Sequence, residues 1–172
     1  MGRAMESMTF ARGPMIAITV LRVLVGWHFL YEGLSKLTAP AFTAAGYLKQ
    51  AKGPLAGAFH SLANSPDMLA NANLITMWGL AIVGACLILG LFTRLASLAG
   101  IAFVLMFYLA APPWIGYFYA IPTEGSYLIV NKNLVEVAAL AVIFFTGSGR
   151  FAGLDRILSG LFRRRPRLAA AA

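Results

Sequence analysis

Apolar residues dominate four stretches of the chain: Met15–Leu37, Leu74–Leu91, Leu95–Ala111 and Tyr127–Thr146. A helix needs roughly 20 such residues to cross a bilayer. Inside lipid the backbone must satisfy its own polar groups, which selects helices. The strict alternation of barrel strands is absent. The second and third stretches are joined by a short turn at Thr93-Arg94, and Pro112-Pro113 ends the third. The second carries Gly79, Ala81, Gly84, Ala85 and Gly90, small residues that let helices approach closely. Between the first two stretches, Thr38–Asn73 spaces Phe42, Tyr47, Leu48, Leu55, Phe59 and Leu62 among polar residues and is broken by Gly53-Pro54. That pattern predicts two short amphipathic pieces lying on the membrane surface. Pro66-Asp67 and the Asn71/Asn73 pair read as turn and helix-start residues. The expected fold is an all-α membrane protein. It is a four-transmembrane-helix bundle with a long amphipathic outer loop, forming one domain over 1–158 with a basic tail at 159–172.

Composition agrees. Of 172 residues, 60% are hydrophobic and only 12% charged, with a mean hydropathy of +0.77. Soluble domains carry about twice that charged fraction. A soluble enzyme, a disordered tail and a nucleic-acid module are excluded. The single Cys86 leaves no intramolecular disulfide, no CxxC pair and no cysteine-ligated cluster, and it reads as a buried, inert thiol. His28 and His60 are far apart in sequence, which argues against a bis-histidine haem site. No residue set for metal is expected.

The net charge of +8 becomes informative once the charges are placed. Arg3, Arg12, Arg94, Arg150, Arg156, Arg163, Arg164, Arg165 and Arg167 fall on one side of the four predicted spans. Lys36, Lys49 and Lys52 fall on the other, with Asp67 and Glu124. The positive-inside rule then puts both termini in the cytoplasm of a bacterial inner membrane. Arg22 interrupts the first apolar run early, so that span reads as retained rather than cleaved. The arginine-rich tail is expected to grip anionic headgroups rather than nucleic acid. Trp114, Tyr117, Phe118, Tyr119 and Tyr127 cluster in the other outer loop, as an aromatic belt or as a lid over an apolar ligand.

Ionisable residues inside spans cost about 3 kcal/mol or more and face partners. The first span holds Arg22, His28, Glu32 and Lys36 within an arc of roughly 120°, with Gly26 and Gly33 on the same side and Trp27 and Leu34 elsewhere. On the fourth, Lys132 and Glu136 are one turn apart, and Asn131 and Asn133 flank the lysine. Counting about 1.5 Å per residue from the cytoplasmic edge puts Arg22 near 12 Å and Glu136 near 15 Å. The expectation is an intramembrane ion pair, Arg22–Glu136, beneath an outer group of His28, Glu32, Lys36 and Lys132. If that pair is structural, Arg22→Leu and Glu136→Leu should each destabilise and their combination restore. The outer group is the candidate catalytic set, with proton exchange between histidine and carboxylate. Trp114, Tyr117, Tyr127, Asn131 and Asn133 are the candidate ligand contacts. No P-loop, Rossmann, nucleophile-elbow or HExxH motif occurs.

Several segments carry a resemblance. Arg22-x5-His28-Phe-Leu-Tyr-Glu-Gly33-x2-Lys36-Leu37 resembles the first helix of DoxX/DoxD-like membrane proteins. Gly84-x5-Gly90-Leu-Phe-Thr-Arg94 is similar to the end of their second helix, and Glu124-Gly-Ser-Tyr-Leu-Ile-Val-Asn-Lys132-Asn133-Leu-Val-Glu136 to the fourth. Gly147-Ser-Gly149-Arg150-Phe-Ala-Gly-Leu154-Asp155 is similar to the ending GxGRxSLD, with Gly153 in place of the serine. Trp78 stands where many relatives carry an acidic residue. The resemblance spans Met15 to Leu158 and implies a four-helix membrane bundle. It also implies a link to the membrane subunit of thiosulfate:quinone oxidoreductase, which passes electrons from thiosulfate to a quinone and forms tetrathionate with a separate soluble subunit. Eukaryotic relatives include cargo receptors and receptor-assembly chaperones. Three functions follow as expectations. One is a quinone-linked redox component, working with a soluble or membrane redox subunit. Another is a non-catalytic partner or assembly factor for an envelope protein. The third is a small-solute transporter, for which homo-oligomerisation would matter.

Overall fold

A computed structural model of the chain describes residues 12–120 and 128–163, with side chains as far as 160. Every regular element in that set is helical. In order they are α1 (Arg12–Thr38), α2 (Ala45–Lys49), α3 (Ala56–Asn64), α4 (Pro66–Leu89), α5 (Thr93–Ala110), α6 (Lys132–Thr146) and α7 (Leu154–Arg163), with a 3₁₀ turn at Ser148–Arg150. Three helices, α1, α4 and α5, are long and apolar enough to cross a membrane. The fourth predicted stretch is helical over only 15 residues, or about 22 Å. It starts at Lys132 because the Asn131 side chain accepts hydrogen bonds from the Asn133 and Leu134 amides (3.1 and 3.3 Å) and caps the helix there.

α4 begins eight residues before the apolar run does. Pro66 occupies its first turn, where a missing amide hydrogen costs nothing. Asn71 and Asn73 therefore lie inside the helix rather than at a turn. Asn73 Oδ1 accepts from the Ala44 amide (2.8 Å) and fixes the approach to α2.

α1 packs most extensively on α4, and α5 on α6. The first contact depends on glycine. A side chain at Gly84 would put its Cβ 2.6 Å from Leu30 Cα and 2.7 Å from Gly26 O. Gly26 lies equally close to Leu87 and Ile88. The core of Val25, Phe29, Leu80, Val83, Leu87, Val104, Leu140 and Ile143 joins the four long helices. Trp27, Leu34 and Trp78 point outward, as expected for the first two.

The outer loop forms two short helices, but they do not lie free on a membrane surface. Leu48, Ala51, Phe59 and Ala63 of the α2–α3 region form a second core with Ala110 at the end of α5. Their apolar faces are spent on capping the bundle. Tyr47 Oη donates to the Phe107 carbonyl (2.8 Å), and burial pushes its pKa up to about 12. Tyr47→Phe should therefore cost about 1 kcal/mol, read as a thermal midpoint a few degrees lower.

At the opposite end, Gly90 closes α4 in the left-handed conformation (φ 65°). The Asp155 carboxylate accepts from the Phe92 and Thr93 amides (2.7 and 3.0 Å) and caps α5 from 62 residues away. Gly153 meets Gly90 there. A Cβ on it would lie 2.8 Å from Gly90 Cα, so a glycine, where the resembling motif has serine, fits this contact.

Candidate functional site

A cavity of about 900 Å³ lies in the half of the bundle under the α2–α3 cap. α1 contributes Phe29, His28, Glu32 and Lys36. α4 contributes one helical face, Met68, Asn71, Ala72, Ile75, Thr76 and Leu80. The end of α5 adds Met106, Phe107 and Ala110, and the following loop adds Trp114, Tyr117, Phe118 and Tyr119. α6 supplies Asn131, Lys132, Asn133 and Glu136.

The aromatic loop is tied down rather than loose. Lys52 Nζ donates to the Phe118 carbonyl (2.6 Å) and sits 5.7 Å from the Tyr119 ring centroid. The Ala120 amide donates to Gln50 Oε1 (2.7 Å), and Tyr119 Oη to the Pro112 carbonyl (3.0 Å). Burial raises the Tyr119 pKa, so this phenol stays a donor. Trp114 and Tyr117 stack at 5.7 Å. The described part of the loop, as far as Ala120, forms an aromatic wall of the cavity.

The charged strip is built across helices. The His28 imidazole donates from Nδ1 to Glu136 Oε1 at 2.8 Å, bridging α1 and α6. Its side chain is 49% accessible, and the Glu136 side chain only 13%. Glu32 pairs with Lys36 one turn on. Lys132 is close enough for its charge to act on both His28 and Glu32. Two carboxylates, two ammonium groups and an imidazole thus line a chamber that is otherwise mostly apolar and aromatic, with Asn71, Thr76, Asn131 and Asn133 as further polar groups.

Of the residues singled out from sequence, His28, Glu32, Lys36, Lys132, Trp114, Tyr117, Asn131 and Asn133 all line this cavity. Tyr127 lies outside the described residues. The expected Arg22–Glu136 pair does not form. Glu136 belongs to the outer group, against His28. Arg22 is 2% exposed and donates from Nη2 to the Ala152 carbonyl (2.6 Å) and from Nη1 to Ser148 Oγ (3.5 Å). Each depth was counted from the edge of its own predicted span, and those edges are not level. α1 projects beyond the ends of α4 and α6, so Arg22 stands at the height of Gly90 and Ser148. The level of Glu136 is reached six residues later, about 9 Å along α1.

The α4 wall was missed by sequence reasoning. Its signal was Pro66 as a first-turn residue followed by Met68, Asn71, Ala72, Ile75 and Thr76, a single face at helical spacing.

A family model described as DoxX matches residues 17–113, more than half of the chain. No curated protein and no solved structure gives a match. The matched segment runs from Ala17 in α1 through α5 to Pro113, while Trp114, Tyr117, Phe118, Tyr119, Lys132 and Glu136 lie beyond it. The chain belongs to the DoxX family of membrane proteins.

Proposed function

We propose that this protein binds a quinone in the capped cavity and exchanges protons with its head group, as the membrane component of a quinone-linked redox system. One observation carries the reading: a mostly apolar, aromatic chamber of ligand size has a cluster of proton-bearing side chains in its lining. Pockets for small molecules are mostly apolar with a few placed polar groups, at about 300–1,000 Å³. The residues fit the group. Trp114, Tyr117 and Phe107 would flank the ring, and Asn71 and Thr76 offer hydrogen bonds within the α4 wall. His28, held by Glu136, would present a proton to a ring oxygen, with Lys132 balancing the charge. A bound quinone takes up two electrons and two protons; the electrons come from a redox subunit outside this chain. In this reading α6 completes a four-helix bundle, and the arginine-rich end faces the cytoplasm of a bacterial inner membrane.

Chromatography of a solvent extract from the detergent-purified protein tests the reading. Near-stoichiometric quinone, diminished in Glu32→Gln, is the expected result. A folded, monodisperse sample that neither retains quinone nor binds added quinone would overturn it and favour a non-catalytic assembly role.

A further inference from the structure

We propose that the end of the bundle bearing α7 is a docking surface for anionic phospholipid, with α7 lying in the headgroup plane. This goes beyond the quinone reading and does not depend on what the cavity holds. At about 100° per residue, Leu154, Ile157 and Leu158 fall on one side of α7, and Asp155, Arg156 and Ser159 on the other. The apolar side is only partly used inside the protein: Leu158 is half-buried, whereas Ile157 is 60% and Leu154 37% exposed. Phe92, Leu95 and Phe151, at the same end of the bundle, are exposed apolar residues as well. A helix with one apolar and one charged face, next to such a patch, suits a bilayer interface.

Position and charge select the lipid. Asp155 ties the start of α7 to the first residues of α5, and Arg22 ties the preceding turn to α1. α7 is therefore fastened at the level where the apolar helices α4 and α5 end, the boundary between hydrocarbon and headgroups. Arg94, Arg150 and Arg156 are exposed at this end. Asp155, its one acid among the described residues, is occupied with backbone amides. A cluster of cations beside the end of a span is the arrangement that recruits anionic lipid.

Hydrogen exchange of the full chain in nanodiscs provides the test. One set contains phosphatidylcholine alone; the other adds phosphatidylglycerol. The discs carry the same lipid on both faces, so the outcome depends neither on orientation nor on quinone. Amides of Ile157–Gly160 should exchange about tenfold more slowly in the phosphatidylglycerol discs. Arg150→Gln with Arg156→Gln should remove that protection, because cations near the surface supply the attraction to anionic lipid. Amides of α5 in the same samples report whether the variant remains folded, and Ile157→Ser serves as a second, charge-neutral variant expected to lose protection. Equal exchange of α7 in the two lipids, or protection unchanged in the double arginine variant, would overturn the proposal.

Discussion

Arg22→Leu is expected to destabilise the protein by roughly 3 kcal/mol, the largest effect of any single polar substitution in the bundle. The guanidinium is buried and donates to Ala152 O and Ser148 Oγ, fastening α1 to the turn that follows α6. Hydrogen bonds to charged groups contribute about 1.5–3 kcal/mol each, and leucine leaves both acceptors without a donor. For a chain of this size the thermal midpoint should fall by roughly 10 °C, read by size-exclusion chromatography after heating. Adding Glu136→Leu should give no recovery. The two residues contact different partners, so their costs should add. Restoration in the double variant would instead return Arg22 and Glu136 to one ion pair.

On the proposed function, Glu136→Gln is expected to weaken quinone binding tenfold or more while leaving the thermal midpoint nearly unchanged. Glutamine keeps the shape and can still accept from His28 Nδ1, which now lies 2.8 Å from the carboxylate. What it loses is the negative charge facing an imidazole and a nearby lysine. Charge-assisted hydrogen bonds are about twice as strong as neutral ones, and 1.4 kcal/mol is a factor of ten. The measurement is quenching of Trp114 by added quinone in a Trp27→Phe/Trp78→Phe background, since those two tryptophans point away from the core. Glu32→Gln should act more weakly, because Glu32 is paired within α1 to Lys36. Unchanged quenching in Glu136→Gln would separate the charged strip from ligand binding.

The legible parts of this protein were those governed by local pattern. Continuous apolar runs marked α1, the lower part of α4, and α5. Small residues marked the α1–α4 contact. Ionisable residues that lipid would penalise marked one wall of the cavity, His28, Glu32, Lys36 and Lys132, before any partner was visible. What stayed hidden depended on relative height and on distant chain segments. Hydropathy does not see that Pro66 starts a helix outside the apolar zone, so Met68, Asn71 and Ala72 fall in the predicted loop and only Ile75 and Thr76 in the predicted span. Nor does it fix how far α1 slides past α6, a shift of about two turns that moved Glu136 from Arg22 to His28. The spent apolar faces of α2 and α3 were invisible for the same reason, since their partner is Ala110 at the far end of another helix.

The cap on α5 also bears on the order in which the molecule can be completed. Ribosomes deliver the chain from its N-terminus, so the turn between α4 and α5 emerges long before Asp155, the residue that satisfies its amides. The hairpin must enter the bilayer with that end unfinished. Arg22 waits even longer for its acceptors, whose segment is made 126 to 130 residues later. Closure of the bundle at this end therefore waits for the segment from Ser148 to Asp155. A nascent chain released before Ser148 would hold its helices with neither clasp engaged.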